Sequence, residues 1–233
     1  MFNLTPAEKI KYMSQIEIDI TQDCNMSCVS CVRGCDKFKS NIIMEPDQVQ
    51  HFVDMSYSYP WSKVGLMGGE VTTHSNLDEI LEIMYQFTQD HPSCHVWTMT
   101  NGLIDYDFPP WLEVVKNTNH DHHAFYVSPK DVNYPMDKRL CHVMTDCGLG
   151  YSVYGFTPCC NTSSIIRAFN LVDGIQHIKH LTYENVMRLC NQYCKYCGWY
   201  MMDSFTEGHL LTYPVKYMSQ SWKEAYRRYN NIR

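Results

Sequence analysis

The hydrophobic and polar positions of the chain follow two repeats, one typical of strands and one typical of helices. Alternating or short apolar runs predict strands over residues 16–20, 63–67, 94–99 and 123–127. Apolar residues at helical spacing predict helices that begin near Thr5, Glu45, Asn76 and Pro109. Strands that alternate with helices predict parallel βα units, and functional sites in such folds lie where the strands end.

The pattern changes after about residue 140. A small hairpin is predicted over residues 151–157, and a further helix begins near Thr182. We therefore predict an α/β fold in two parts, which cover residues 1–140 and 141–233.

Composition and charge exclude several classes of protein. Hydrophobic residues make up 45% of the 233 residues and charged residues 19%, which predicts a packed core rather than a disordered chain. The net charge of −6 argues against broad binding of a nucleic-acid backbone. No apolar run is long enough to cross a bilayer, and residues 1–6 lack the pattern of a signal peptide. We therefore expect a cytoplasmic protein without a membrane partner.

The twelve cysteines fall into groups along the chain. They lie at positions 24, 28, 31 and 35, at 141, 147, 159 and 160, and at 190, 194 and 197, with Cys94 alone. In a chain without an export pattern, such groups favour metal or redox chemistry over disulfides. We assign Cys35, Cys94 and Cys141 to packing, because small buried cysteines act as hydrophobic residues.

The first group has the spacing C-x3-C-x2-C, through Cys24, Cys28 and Cys31, and it directly follows the first predicted strand. Three thiolates from one loop can bind three irons of a cubane cluster and leave the fourth iron open to a substrate or cofactor. Thiolates at similar spacing also bind zinc, so a zinc knuckle is the alternative.

Two further motifs lie at the ends of the next predicted strands. Residues 68–70 read Gly-Gly-Glu after the second strand, and residues 100–102 read Thr-Asn-Gly after the third. Together with the cysteine spacing, they resemble the motifs of the radical S-adenosylmethionine (SAM) superfamily. The resemblance implies a 4Fe–4S cluster whose open iron binds the amino and carboxylate groups of SAM. It also implies a partial (β/α) TIM-type barrel, shortened because a fifth-strand GxIxGxxE motif is not recognisable.

The resemblance further implies which residues of the second and third motifs contact SAM. Gly68 and Gly69 would allow close approach of the backbone. The Glu70 carboxylate would accept the SAM ammonium through a charge-assisted hydrogen bond. Asn101 would contribute a polar contact at the end of the third strand.

Three more implied SAM contacts rest on weaker grounds. Ser30 stands where the family often has an aromatic residue, and its backbone would lie beside the adenine. Ser128 and Lys130 end the fourth predicted strand, where the family places contacts to ribose or carboxylate. A loop serine and a surface lysine explain these last two residues equally well.

The C-terminal part resembles the Twitch or SPASM lobe of radical SAM enzymes, which carries auxiliary clusters. In that pattern one cysteine precedes a hairpin, a second follows it near a glycine, and a CxxC completes the set. The matching residues here are Cys147, Cys159, Cys194 and Cys197. The resemblance implies a second 4Fe–4S cluster on these four. Cys160 or Cys190 could replace one of them, and a zinc site that stabilises a small lobe is the alternative.

For such a protein the resemblance implies reductive cleavage of SAM to a 5′-deoxyadenosyl radical, which abstracts hydrogen from an unactivated carbon. We expect an oxidoreductase that oxidises a small polar or sugar-like substrate, with help from the auxiliary cluster and a reductant such as flavodoxin or ferredoxin. Modification of a peptide or protein side chain is the second hypothesis, with a groove formed by residues 213–233. A non-enzymatic zinc-binding interaction module is the third. The sequence alone assigns no catalytic base.

Overall fold

The computed structural model describes residues 4–38, 42–117, 125–136, 141–201 and 216–231. Within these ranges the strands are β1 (Gln15–Thr21), β2 (Lys63–Gly68), β3 (His95–Thr100), β4 (Glu113–Lys116), β5 (Leu149–Ser152) and β6 (Gly155–Thr157). The α-helices are α1 (Pro6–Met13), α2 (Pro46–Ser56), α3 (Leu77–Asp90), α4 (His142–Asp146), α5 (Thr162–Phe169), α6 (Tyr183–Tyr193) and α7 (Gln220–Asn231).

The described strands form one sheet in the order β4-β3-β2-β1-β5-β6. Neighbouring strands from β4 to β5 run parallel, and β5 and β6 form an antiparallel hairpin. The carboxyl ends of β1, β2 and β3 therefore lie side by side, with Thr21 paired to Gly68. The predicted α/β class with a short parallel sheet is confirmed. The hairpin predicted for the C-terminal part joins this same sheet, and the division at residue 140 stays a prediction.

Strand β1 runs through the middle of the sheet and is buried on both faces. Ile18 and Ile20 pack in the hydrophobic core. Glu17 and Asp19 point to the opposite face, because successive strand residues alternate in direction. There the Arg33 guanidinium lies 3.3 Å from the Glu17 carboxylate and 3.2 Å from the Asp19 carboxylate. The alternation of apolar and acidic residues in the sequence thus separates a hydrophobic layer from a polar interior.

Four helices, α1, α2, α3 and α6, begin where the sequence predicts. The Thr5 side chain accepts the Glu8 N–H, and the Glu8 carboxylate accepts the Thr5 N–H, so α1 starts with a capping box. Helix α3 buries its predicted apolar face, and none of the described helices is long and apolar enough to cross a membrane. The cytoplasmic location stays a prediction.

Two elements predicted between residues 109 and 127 are wrong. Residues 110 and 111 form a turn instead of a helix. The fourth strand in chain order is β4 (Glu113–Lys116), and it lies before the strand predicted over residues 123–127. Residues 123 and 124 of the predicted strand lie outside the described residues, and Phe125 and Tyr126 form a turn. Both rings pack against Trp222 of α7, at centroid distances of 5.4 and 4.9 Å. This apolar run therefore serves tertiary packing and pairs with no strand in the described part of the chain.

Candidate functional site

The carboxyl ends of β1, β2 and β3 border a cavity of about 180 Å³, which we call the N-terminal cavity. Cys24, Cys28 and Cys31 line it from the loop that follows β1. Residues 68–70 line it from the end of β2, and residues 100 and 101 from the end of β3. The three motifs that the sequence analysis selected therefore share one cavity.

Gly68 and Gly69 allow the end of β2 to cross close to the start of the cysteine loop. The Gly69 N–H donates to the Thr21 carbonyl at 2.9 Å, and the Glu70 N–H donates to the Asp23 carbonyl at 2.8 Å. A Cβ atom on Gly69 would clash with the Asp23 carbonyl, and one on Gly68 would clash with the Thr21 carbonyl. The close backbone contact between the end of β2 and the start of the cysteine loop therefore requires glycine at both positions.

The Glu70 carboxylate is 2% exposed and is held by groups from two strand ends. Its Oε1 accepts hydrogen bonds from the Thr72 and Thr100 hydroxyls at 2.7 and 2.6 Å. Its Oε2 accepts the Asn101 N–H at 2.7 Å. An ionised carboxylate offers about four acceptor positions, so Oε2 has capacity for one more donor. The cavity thus contains a fixed carboxylate that can accept an ammonium group.

Asn101 joins the third motif to the cysteine loop. Its Nδ2 donates to the Asn25 side-chain oxygen at 2.8 Å, and its own side-chain oxygen accepts the Leu103 N–H at 3.0 Å. Asn25 directly follows Cys24. The Asn101 amide therefore positions the loop that carries the first cysteine.

Ser30 and Asp36 hold the other end of the cysteine loop. Ser30 has a left-handed backbone with φ of 61°, and its hydroxyl accepts the Phe125 N–H at 2.9 Å. The Ser30 N–H donates to Asp36 at 3.1 Å, and the Tyr126 hydroxyl donates to the same carboxylate. A left-handed backbone is unfavourable for residues other than glycine, so these bonds are needed to keep the loop in this shape.

Cys31 is prepared for metal binding. The Cys35 thiol and the backbone N–H groups of Cys35 and Arg33 donate hydrogen bonds to it, and they lower the pKa of Cys31 to about 6 against the opposing effect of burial. The thiolate is the form of cysteine that binds metals. At neutral pH this residue is therefore already in its ligand form.

A second group of thiols lines a smaller cavity, which we call the C-terminal cavity. Its cysteines are Cys141, Cys159, Cys194 and Cys197. Burial raises the pKa of Cys159 and Cys197 and raises the pKa of Cys141 to about 12. Four thiols are the number of protein ligands that a 4Fe–4S cluster or a four-cysteine zinc site takes.

Cys147 does not line the C-terminal cavity. Its sulfur, the Cys160 sulfur and a Glu17 carboxylate oxygen all lie within 4.8 Å of one another, beside β1. Cys147 follows the last residue of α4, whereas Cys141 precedes the first, so the two thiols lie at opposite ends of this short helix. Of the four ligands predicted from sequence the structure brings three together, and Cys141 stands in the place expected for Cys147.

Comparison with protein families gives a match in the part of the chain that carries the N-terminal cavity. A family described as a 4Fe-4S single cluster domain matches residues 19–119, which contain all three motifs. A probable GTP 3′,8-cyclase of Methanococcus aeolicus is 29% identical over 92 residues, or 40% of this chain. A probable GTP 3′,8-cyclase of Thermococcus kodakarensis is 27% identical over 78 residues, or 34% of this chain. The chain is therefore similar to an iron–sulfur cluster domain family and to two probable GTP 3′,8-cyclases.

The chain spans only part of these two relatives, since the aligned regions are 30% and 25% of their respective lengths. Among solved structures, the chain is similar to BtrN in complex with AdoMet and 2-DOIA. The TM-score is 0.52 at 16% identity, over 85% of this chain and 94% of BtrN. This similarity shows a shared fold, and its extent means that it includes residues beyond the first 140.

Three predicted SAM contacts are not among the residues that line the N-terminal cavity. Ser30 holds the loop from outside, as described above. The Ser128 N–H donates to the Ser219 hydroxyl at 3.0 Å, just before α7. The Lys130 ammonium lies 4.6 Å from the centre of the Tyr196 ring. Tyr196 is one of the two residues between Cys194 and Cys197. Contacts of these three residues with SAM therefore stay predictions that rest on the sequence resemblance.

Sequence reasoning missed Arg33 and Cys35, which both line the N-terminal cavity. The signal for Arg33 was the pair of acidic residues in a strand that is otherwise apolar, because buried carboxylates need a cation. The signal for Cys35 was its position four residues after Cys31, within the first cysteine group.

Proposed function

We propose that this chain binds a 4Fe–4S cluster and SAM in the N-terminal cavity and cleaves SAM reductively. The observation that carries the proposal is the convergence of Cys24, Cys28 and Cys31 with the Glu70 carboxylate on one cavity. The thiols are the ligands that a cluster with one open iron needs, and the carboxylate is an acceptor for the ammonium of SAM. The match of residues 19–119 to a 4Fe-4S single cluster domain family supports the same function.

The residues of the cavity fit these two groups. When bound, the cluster supplies the electron that splits SAM into methionine and a 5′-deoxyadenosyl radical, which abstracts hydrogen from a substrate carbon. The protein itself positions the reactants. Glu70 orients the methionine end of SAM, and the hydrogen bond from Asn101 to Asn25 keeps the cysteine loop in register. Met67 and Met99 form apolar parts of the wall, which exclude water.

We also propose a second 4Fe–4S cluster in the C-terminal cavity. Its four thiols would occupy every iron, so this cluster would bind no substrate. It would instead accept the electron that remains on the product radical, which makes the overall reaction a two-electron oxidation. The ligands that the geometry favours are Cys141, Cys159, Cys194 and Cys197.

We propose a small polar or sugar-like substrate, and a reductant such as flavodoxin or ferredoxin. BtrN shares the fold, and its crystal structure is a complex with AdoMet and 2-DOIA. Arg33, which is ion-paired with Glu17 and Asp19, lines the N-terminal cavity and can donate hydrogen bonds to hydroxyl oxygens of a substrate. A peptide groove at the C-terminus is disfavoured, because Trp222 of α7 is fully buried in the core.

Anaerobic reconstitution followed by addition of dithionite and SAM tests the proposal. The wild-type protein is expected to be brown, to hold about eight irons if both clusters form, and to release 5′-deoxyadenosine. Joint replacement of Cys24, Cys28 and Cys31 by alanine should abolish this product. The matched control is Cys94→Ala, a buried cysteine that lines neither cavity, and it should retain full product formation.

Two outcomes would contradict the proposal. One is a colourless protein that holds zinc in the N-terminal cavity, which would favour the zinc-binding interaction module. The other is 5′-deoxyadenosine formation that survives the loss of all three cysteines.

A further inference from the structure

Cys35 is a fourth thiol of the N-terminal cavity. It is 4% exposed and lines the cavity together with Cys24, Cys28 and Cys31. Its side chain lies within hydrogen-bonding reach of the Cys24 and Cys31 side chains. Its sulfur also lies 3.7 Å from the Gln22 carbonyl oxygen, which is an alternative acceptor for the single S–H. Cys35 therefore points at the cluster ligands and does not simply fill the hydrophobic core.

The backbone on both sides holds Cys35 in this position. Gly34 has a left-handed φ of 73°, and its N–H donates to the Cys31 carbonyl at 2.8 Å. The Phe38 N–H donates to the Gly34 carbonyl at 2.7 Å, and the Phe38 ring packs edge-on against Tyr126. The left-handed backbone favours glycine at this turn, where a Cβ atom would also lie 2.7 Å from a nitrogen of the Arg167 guanidinium. The turn is thus anchored before and after the thiol.

Four cysteines are the usual complete ligand set of a 4Fe–4S cluster. The fourth iron in this cavity therefore has two candidate ligands, the Cys35 sulfur and SAM. We propose that Cys35 binds the fourth iron while SAM is absent, and that SAM displaces it. This inference rests on the proposed function of the N-terminal cavity.

The exchange of ligands balances in protons and electrons. Cys35 releases its proton when its sulfur binds iron. When SAM arrives, its ammonium gives up one proton as the nitrogen binds iron, and the departing Cys35 thiolate takes up one proton. No electron is transferred in this step. Glu70 accepts a remaining N–H of SAM, which favours the exchange, and the Cys35-bound form protects the cluster from loss of iron until then.

Oxidation of the SAM-free cluster tests the proposal. An iron without a protein ligand is lost on mild oxidation, which leaves a three-iron cluster with its own electron paramagnetic resonance signal, whereas a cysteine-bound iron is retained. The signal is measured as spins per chain after ferricyanide treatment of reconstituted wild type, Cys35→Ala, Cys35→Ser and the control Cys94→Ala. A second cluster with four cysteine ligands would add little to this signal.

We expect little three-iron signal from wild type and Cys94→Ala, and several times more from Cys35→Ala and Cys35→Ser. Serine keeps a hydrogen-bond donor but lacks the soft sulfur that iron–sulfur clusters bind, so it separates a ligand from a donor. SAM should also bind Cys35→Ala more tightly. If the open-iron form makes up about a tenth of the SAM-free wild type, removal of Cys35 tightens binding about tenfold.

Equal three-iron signals in wild type and Cys35→Ala would overturn the role of Cys35, and so would a Cys35→Ser variant that behaves like wild type. If the variants hold no cluster, the wild-type protein alone tests the role of Cys35. A large three-iron signal from SAM-free wild type would mean that Cys35 does not bind the fourth iron, and a small signal would support the proposal. A wild-type protein that binds no iron in this cavity contradicts the proposed function instead. Formation of 5′-deoxyadenosine by a protein with an oxidation-sensitive cluster contradicts the role of Cys35 alone.

Discussion

Cys31 and Cys94 show how local contacts set the chemistry of single thiols. Hydrogen bonds lower the pKa of Cys31 to about 6, whereas burial raises the pKa of Cys94 to about 11. In the cluster-free protein the Cys31 thiolate therefore forms as the pH rises through 6 and is protonated below it. We predict that alkylation by iodoacetamide, followed by peptide mass spectrometry, has a midpoint near pH 6 at Cys31 and stays slow at Cys94 through neutral pH. A Cys31 midpoint at the ordinary cysteine value of about 8.5 would contradict this account.

The charge of Glu70 should matter for SAM binding more than its shape. Glu70→Gln keeps the volume but removes the anion that pairs with the ammonium. We expect the affinity for SAM to fall by about 1.5–3 kcal/mol, or roughly tenfold to a hundredfold, as for a hydrogen bond to a charged group. Calorimetric titration of SAM into cluster-loaded protein measures this, with the exposed Glu113→Gln on β4 as the control. Equal SAM affinity in the two variants would remove Glu70 from the binding site.

At the scale of elements, the turn after β2 and the loop after β1 pack backbone against backbone. Gly69→Ala places a methyl group against the Asp23 carbonyl, so we expect a loss of about 1–3 kcal/mol of stability and less iron in the N-terminal cavity. Thermal unfolding and iron analysis check both. Gly102→Ala is the control for the steric contact, because its new Cβ meets no atom closer than 3.7 Å. Unlike Gly69, Gly102 has a left-handed φ of 71°, so this control also measures the cost of backbone strain alone. Full iron content in Gly69→Ala would show that the close approach is dispensable.

The elements that the sequence predicts correctly are those whose pairing and packing partners are near in sequence. Strands β1, β2 and β3 carry continuous apolar or alternating runs, and the helices between them have clear caps, so local pattern is sufficient. The run at Phe125 and Tyr126 has the same local pattern, but its partner is Trp222, almost a hundred residues later. The periodicity of apolar residues cannot distinguish a strand that pairs in a sheet from a segment that packs against a distant helix.

The same limit applies to the site. The spacing of Cys24, Cys28 and Cys31 is local, so one loop is enough to predict that they act together. The choice between Cys141 and Cys147 depends on the direction of α4 relative to β6 and α6, which no sequence pattern contains. The convergence of Cys35 on the same cavity depends on a left-handed turn at Gly34.

At the scale of the whole molecule, β1 connects the two cavities. The carboxyl end of β1 borders the N-terminal cavity. Strand β5 pairs with β1, and the chain continues from β5 through β6 to Cys159, which lines the C-terminal cavity. The polar face of β1 lies between them, because Arg33 lines the first cavity and Glu17 lies beside Cys160. We expect the substrate to bind near this face, within reach of both clusters.

The C-terminal cavity gives a prediction at this scale. Cys141→Ala should lower the iron content of the reconstituted protein by about four per chain, because it removes one of the four thiols around the cavity. Cys147→Ala is the matched comparison, six residues away along the same short helix, and it should retain the iron. Iron analysis and the absorbance of the reconstituted proteins measure both variants. The reverse result would return Cys147 to the ligand set.

Electron–nuclear double resonance shows whether three thiols leave one iron of the cluster for SAM. The reduced, reconstituted protein is mixed with SAM that carries nitrogen-15 at its amino group. We predict a hyperfine coupling between this nitrogen and the cluster. The coupling should disappear when Cys24, Cys28 and Cys31 are replaced by alanine. A reduced cluster in this cavity that shows no coupling to the labelled nitrogen would contradict this prediction.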